Sequence, residues 1–174
     1  MNKPESLKKH LQAAIPELKH NPERLLVFID QGRIRSTAAP GLSFEYSYTL
    51  NIILTDYAGH PDAVAVPLLA WLMVNQRELI ESHERGKEGI SFEADILDGS
   101  KVDLSITLPL TERVLVKQQD GKLDVAHLPE PQLDDFLPPM EWQLIADGEV
   151  LSEWQSVQGL GQDVAMPNPG RSHE

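Results

Sequence analysis

The sequence predicts an α+β fold: one mixed or antiparallel sheet, with an N-terminal helix and a main helix packed on it, plus a C-terminal β-hairpin arm. Three observations point there. SFEYSYTLNIILTD (43–56) alternates strictly, with Phe44, Tyr46, Tyr48, Leu50, Ile52 and Leu54 on one face and mostly Ser, Glu, Thr and Asn on the other. Asp-Gly dipeptides at 120–121 and 147–148 sit between short apolar runs and mark hairpins. Two stretches, 3–18 and 62–82, carry apolar residues suited to helices.

The elements follow in order. Asn2, with Glu5 three residues on and Pro4 tolerated in the first turn, resembles a helix start. Leu7, Leu11, Ala14, Ile15 and Leu18 recur at helical spacing, and Pro16 ends the helix at Ile15 or restarts it. A second short helix is expected from Asn21-Pro22. LLVFI (25–29) is a buried strand, which Gln31-Gly32 turns towards RIRST (33–37). YAGHPD (57–62) is a turn, and Pro61 and Asp62 suit the start of the main helix. Pro67 falls in its first turns or kinks it. Trp71, Leu72 and Met73 are consecutive, so the helix is apolar nearly all round. A helix lying on one sheet keeps a polar outer stripe, so part of this surface is expected to meet something else, with Trp71 as a contact residue. ISFEADIL (90–97) and VDLSITLPLTERVLVKQ (102–118) form a hairpin, and a further turn leads into KLDVAHL (122–128).

Residues 1–127 then make the core. Residues 128–140, with four prolines, are a linker. The hairpin arm spans 141–157, and the Gly/Pro-rich, polar 158–174 is expected to be disordered. With a two-residue turn at Asp147-Gly148, Ile145 lies opposite Val150 and Leu144 opposite Leu151. Trp142, Leu144 and Leu151 then share one face, and Ile145, Val150 and Trp154 the other. Both faces are apolar, so the arm needs cover on both sides: it folds back on its own domain, or docks on a neighbouring subunit or partner.

Composition narrows the function. The chain has 174 residues and no cysteine, so disulfides and thiol chemistry are excluded. Neither a signal peptide nor an apolar run long enough to span a bilayer is read, and a soluble cytoplasmic protein is expected. Net charge is −12, with −8 of it in residues 129–174. That balance argues against nucleic acid as a partner, since phosphates require a basic face. No G-x-S-x-G, P-loop or G-x-G-x-x-G occurs, and the six histidines have no zinc-site spacing. His60 with Asp62 reads as a helix-start turn, and Glu93 with Asp95 as a solvated strand face. No catalytic residue, cofactor or metal is therefore assigned. Arg33 and Arg35 share one strand face, with Arg113 at a strand end; they are isolated surface charges or contacts for an acidic partner or a neighbour's acidic tail.

KPESLKKHL, NPERLLVFIDQGRI, SFEYSYTLNIILTD, VPLLAWLMVNQ, ISFEADI followed by SITLPLTERVLV, and IADGEVLSEW together resemble the tail completion protein R (GpR) family of contractile-tailed, peduovirus-type temperate phages. The resemblance covers roughly residues 1–155, with the proline-rich spacer a shared trait. It implies a non-catalytic virion protein that completes the tail at its head-proximal end, similar to tail terminators. Those form rings, typically hexamers, that meet tube, sheath and neck proteins. It places the protein in the host cytoplasm during assembly and then in the virion tail of a phage or prophage. The interface expected on this reading comprises Trp71, Arg33, Arg35, Trp142, Leu144, Ile145, Val150, Leu151 and Trp154. The alternatives are a monomeric adaptor acting through the hairpin and a hydrolase whose site assembles only in the fold.

Overall fold

Alternation and turn chemistry resolve, in a computed structural model, into a five-stranded antiparallel sheet, a helical layer on one face, and a separate two-stranded hairpin. The structure describes residues 1–36, 41–81, 89–97, 101–131 and 140–156. The elements are α1 (Lys3–Ala14), α2 (Pro16–His20), β1 (Leu25–Ser36), β2 (Phe44–Tyr57), α3 (Asp62–Asn75), α4 (Arg77–Glu81), β3 (Ser91–Ile96), β4 (Val102–Gln119), β5 (Lys122–His127), β6 (Glu141–Ala146) and β7 (Glu149–Gln155). The predicted linker lies mostly, and the predicted tail wholly, outside the described residues.

Helix α1 stops where Pro16 forbids continuation: Ile15 is extended (ψ 115°), as a residue before proline must be, and α2 begins at Pro16 itself. The short helix expected at 21–22 is a single 3₁₀ turn, Pro22–Arg24. Helix α3 runs through Pro67 without stopping. It ends at Asn75 rather than continuing to 82, because Gln76 adopts φ −154°, ψ 50°, and α4 follows after the break.

The strand order is β1-β2-β4-β3, and β5 pairs with the far end of β4. Tyr48, Leu50, Ile52 and Leu54 of β2 lie opposite Leu110, Leu108, Ile106 and Leu104 of β4. These buried side chains meet Leu7, Leu11, Ile15 and Leu18 from α1 and α2 and Val64, Leu68, Trp71 and Leu72 from α3. Burial of a large aliphatic side chain is worth about 1.5–3 kcal/mol, so this single core holds both helices on the sheet.

Gln31-Gly32 does not turn the chain. The β1–β2 register slips by one residue between Asp30 and Arg33, and Gln31 takes φ 51°. An extra residue absorbed in this way is a bulge, which lets one strand run from Leu25 to Ser36. Both Asp-Gly turns form as expected. Asp120, Gly121, Asp147 and Gly148 all have positive φ, the backbone that matches the twist of a two-residue hairpin.

The C-terminal hairpin lies against the helices, with β7 touching α1, α2 and α3. Its register departs from uniform alternation. Ile145 faces Val150, but Leu144 faces Ser152 and Trp142 faces Trp154, with Leu151 as the extra residue of a bulge. Trp154 therefore shares the face of Trp142 and Leu144 and not that of Ile145 and Val150.

Candidate assembly interface

The polar heart of the molecule lies where α1 meets the sheet. Glu112, on the core face of β4, is buried. Its carboxylate accepts hydrogen bonds from the Tyr48 hydroxyl (2.6 Å), the backbone N–H of Asn2 (2.8 Å) and the backbone N–H of Lys3 (3.2 Å), and lies 3.1 Å from His127 Nδ1. The Asn2 side chain caps nothing; Glu112 supplies the negative charge that a helix N-terminus favours. Burial alone pushes its carboxyl pKa up, but the four hydrogen bonds outweigh burial and hold it below the usual range. Burial pushes Tyr48 up, and the adjacent Glu112 adds to it.

Lys3 Nζ, also buried, reaches Gln76 Oε1 at 2.8 Å and Glu130 Oε1 at 2.9 Å. Burial draws its pKa down against the pull of Glu130. Gln76 in turn accepts from the backbone N–H of Thr111 (3.2 Å) and donates to Thr111 Oγ1 (3.1 Å). Strand β3 pairs with β4 only up to Thr107, and β5 pairs only from Val114. The break after α3 thus places an amide side chain on the stretch of β4 edge between them. Sequence reading missed this network: Glu112 sits in TERV and looks like the polar end of a strand. This arrangement is a clamp, with its donors and acceptors directed at one another.

Beside the clamp lies a cleft of about 380 Å³, lined by Arg33, Ser47, Thr49, Gln76, Glu78 and Thr111, among others. Among the described residues no group of three or more His, Asp or Glu is placed to share a metal ion. His60 Nδ1 stands 3.4 Å from Asp62 and accepts from the Asp62 backbone N–H, a local helix-start contact.

The residues expected at an interface fall into three places. Trp71 is 4% exposed and donates from Nε1 to Ser6 Oγ at 3.1 Å. It is a core side chain in this chain, on a helix that packs against α1 and β7. Trp142, Leu144, Leu151 and Trp154 are half-buried, while Ile145 and Val150 on the other face are exposed. Around them stand Glu141, Asp147, Glu149 and Glu153 with no basic residue in either strand. Arg33 and Arg35 are exposed on β1 beyond the bulge, opposite Ser47 and Glu45. Arg113 lies opposite Glu45 from the other side, with Nη2 3.6 Å from Glu130.

Sequence reading did not single out the most exposed apolar side chains. Ile34 (70%) lies on β1, and Phe92 (71%) and Ile96 (87%) lie on β3. Among the described residues both strands are edges of the sheet. An unpaired edge bearing large apolar groups is a template for another chain.

Among the described residues, no strand pairs with the outer edge of β1 or of β3. The P2 phage tail completion protein R (GpR) family matches residues 1–131, and the chain belongs to that family. Over 155 residues it is 46% identical to tail completion protein R of Escherichia phage P2, an alignment spanning 88% of this chain and 99% of that protein. No solved structure matches.

Proposed function

We propose that this is a non-catalytic structural protein of a phage or prophage virion that completes the tail at its head-proximal end and joins it to the head. The observation that carries the reading is the match along 99% of a relative named tail completion protein R. It takes in the C-terminal hairpin as well as the core, so the contact surfaces described above lie within the shared length. The assembled form is a homo-oligomeric ring contacting tail tube, sheath and neck proteins. Ring closure requires a heterologous interface, in which one subunit's surface meets a different surface of the next. Residues for these contacts are Arg33 and Arg35 on β1 and Ile145 and Val150 on the hairpin's outer face.

The test is removal of the protein from an otherwise intact phage, with particles counted by electron microscopy. Filled heads and tails that remain separate are the expected products. Normal yields of joined, infectious particles would overturn the reading.

The exposed Ile145 and Val150 in an acidic setting favour one second reading, a monomeric adaptor that binds a virion or host protein through this face. Light scattering separates the two: the ring reading requires concentration-dependent assembly of the full chain, and the adaptor reading a monomer throughout.

A further inference from the structure

The two edges of the sheet, unpaired among the described residues, carry matching chemistry on both of their faces. Each neighbouring pair in the order β1-β2-β4-β3 is antiparallel, so β1 and β3 also run in opposite directions. Copies repeated head to tail in one orientation therefore present β3 antiparallel to the next β1, with the sheets' open faces on the same side. That is the sense in which an antiparallel ladder forms.

The charges select a register. On the open face, β1 carries Arg33 and Arg35 and β3 carries Glu93 and Asp95, each pair two residues apart. In an antiparallel ladder, Arg33 opposite Asp95 also places Arg35 opposite Glu93. The same register brings Ile34 opposite Ala94, on the helix side, between Phe92 and Ile96. These are the three large apolar side chains with the greatest exposure among the described residues. Within one copy Asp95 lies directly opposite Asp103, a like-charge pair that is unfavourable alone and is relieved by an incoming arginine. Neither Ser91–Ile96 nor Arg33–Ser36 contains a proline or lysine, residues that commonly protect an edge.

We propose that β3 of one copy adds to β1 of the next copy in this register, making one sheet continuous across the subunit boundary. The inference rests on the homo-oligomeric reading above and supplies its interface. In its own sheet Glu93 is level with Ser105, Ile53 and Leu26. Meeting Arg35, which is level with Glu45, displaces neighbours by about 26 Å along the strands at ~3.3 Å per residue. A closed ring accommodates such a stagger by tilting its strands, as barrels do.

The test uses the full chain and light scattering over a concentration series. Reversal of β1 (Arg33→Glu with Arg35→Glu) or of β3 (Glu93→Arg with Asp95→Arg) is expected to raise the assembly concentration about tenfold, the effect of losing two cross-strand ion pairs. All four changes in one chain are expected to restore assembly. Circular dichroism checks that each variant is folded. Because the chain has no cysteine, Ile34→Cys and Ala94→Cys give a second readout: oxidation of the doubly substituted chain is expected to yield a ladder of linked copies. If the wild type assembles but the four-fold variant does not recover and no ladder forms, edge pairing is overturned and the oligomer reading stands. A wild type that is monomeric at every concentration overturns the oligomer reading, and this inference with it.

Discussion

Tyr48 donates a 2.6 Å hydrogen bond to Glu112 from the neighbouring strand, and both side chains are buried on the face that meets the helices. The tyrosine hydroxyl and the start of α1 thus depend on one carboxylate. Glu112→Ala leaves four donors without their acceptor. Loss of one partner from a buried, charged network costs on the order of 3–5 kcal/mol. Tyr48→Phe removes one charge-assisted bond and is expected to cost about 1.5–3 kcal/mol. Urea unfolding of both variants checks the order; an equal or smaller loss for Glu112→Ala would count against the carboxylate as the hub.

Acid should weaken the fold in two stages. His10 is lowered from its ordinary 6.5 by burial, although its Nε2 lies 3.0 Å from the Pro67 carbonyl. Glu112 is held below its ordinary 4.5. Both groups have a folded pKa below the unfolded one, so the stability each contributes is complete above the unfolded value and falls as pH drops through the folded value. The melting temperature is expected to decline first below about pH 6.5 and again below about pH 4.5. Glu112→Gln should flatten the second decline and leave the first. Melting curves from pH 3 to pH 8, about one unit apart, decide it; a variant profile parallel to the wild type at the acid end would refute the assignment.

Much of this was legible in the sequence because local chemistry and tertiary environment agree. The alternation from Phe44 to Leu54 survives because that strand is central and has one buried face. Asp120-Gly121 and Asp147-Gly148 turn as read because their positive φ suits those residues. Gln31-Gly32 has similar local chemistry, but pairing with β2 continues past it, and a bulge absorbs what reads as a turn. Leu144 opposite Leu151 is as good a pair by alternation as Leu144 opposite Ser152; only packing on the helices selects the latter. Trp71 read as a contact residue because the helix is apolar nearly all round, and its packing against α1 and β7 is not visible in the local sequence. Glu112 was invisible as a hub, since its partners come from residues 2, 3, 48 and 127.

Gln76 holds the β4 edge through the Thr111 amide, and exchange of that amide reports it. Gln76→Ala removes the acceptor and leaves Lys3 with Glu130 alone. Hydrogen exchange at Thr111 is expected to accelerate on the order of tenfold, with a global loss of about 1–2 kcal/mol. An unchanged rate at Thr111 would mean that the edge is protected by other means.

Two polar atoms at the hairpin, Ser152 Oγ and Trp154 Nε1, are buried without a hydrogen-bond partner among the described residues. A buried hydroxyl without a partner costs roughly 1–3 kcal/mol. Ser152→Ala deletes it with little change in volume, so the variant is expected to be more stable than the wild type by about 1 kcal/mol. A destabilised Ser152→Ala would show that the hydroxyl has a role the packing does not reveal.

Truncation after Pro131 tests what the hairpin does for its own chain. The cut keeps Glu130, and with it the Lys3 and Arg113 contacts, but removes β7 from α1, α2 and α3. Apolar surface of α1 and α3 then becomes exposed, at about 25 cal/mol per Å². The truncated chain is expected to unfold at lower urea with a smaller dependence on denaturant, since it buries less surface when folded. Because newly bared apolar patches associate, it should also self-associate non-specifically where the full chain does not. A truncated chain with unchanged midpoint and slope would mean that the hairpin contributes nothing to its own core. Its inner face would then be free to dock on a neighbour, and the arm would exchange between subunits instead of closing on its own helices.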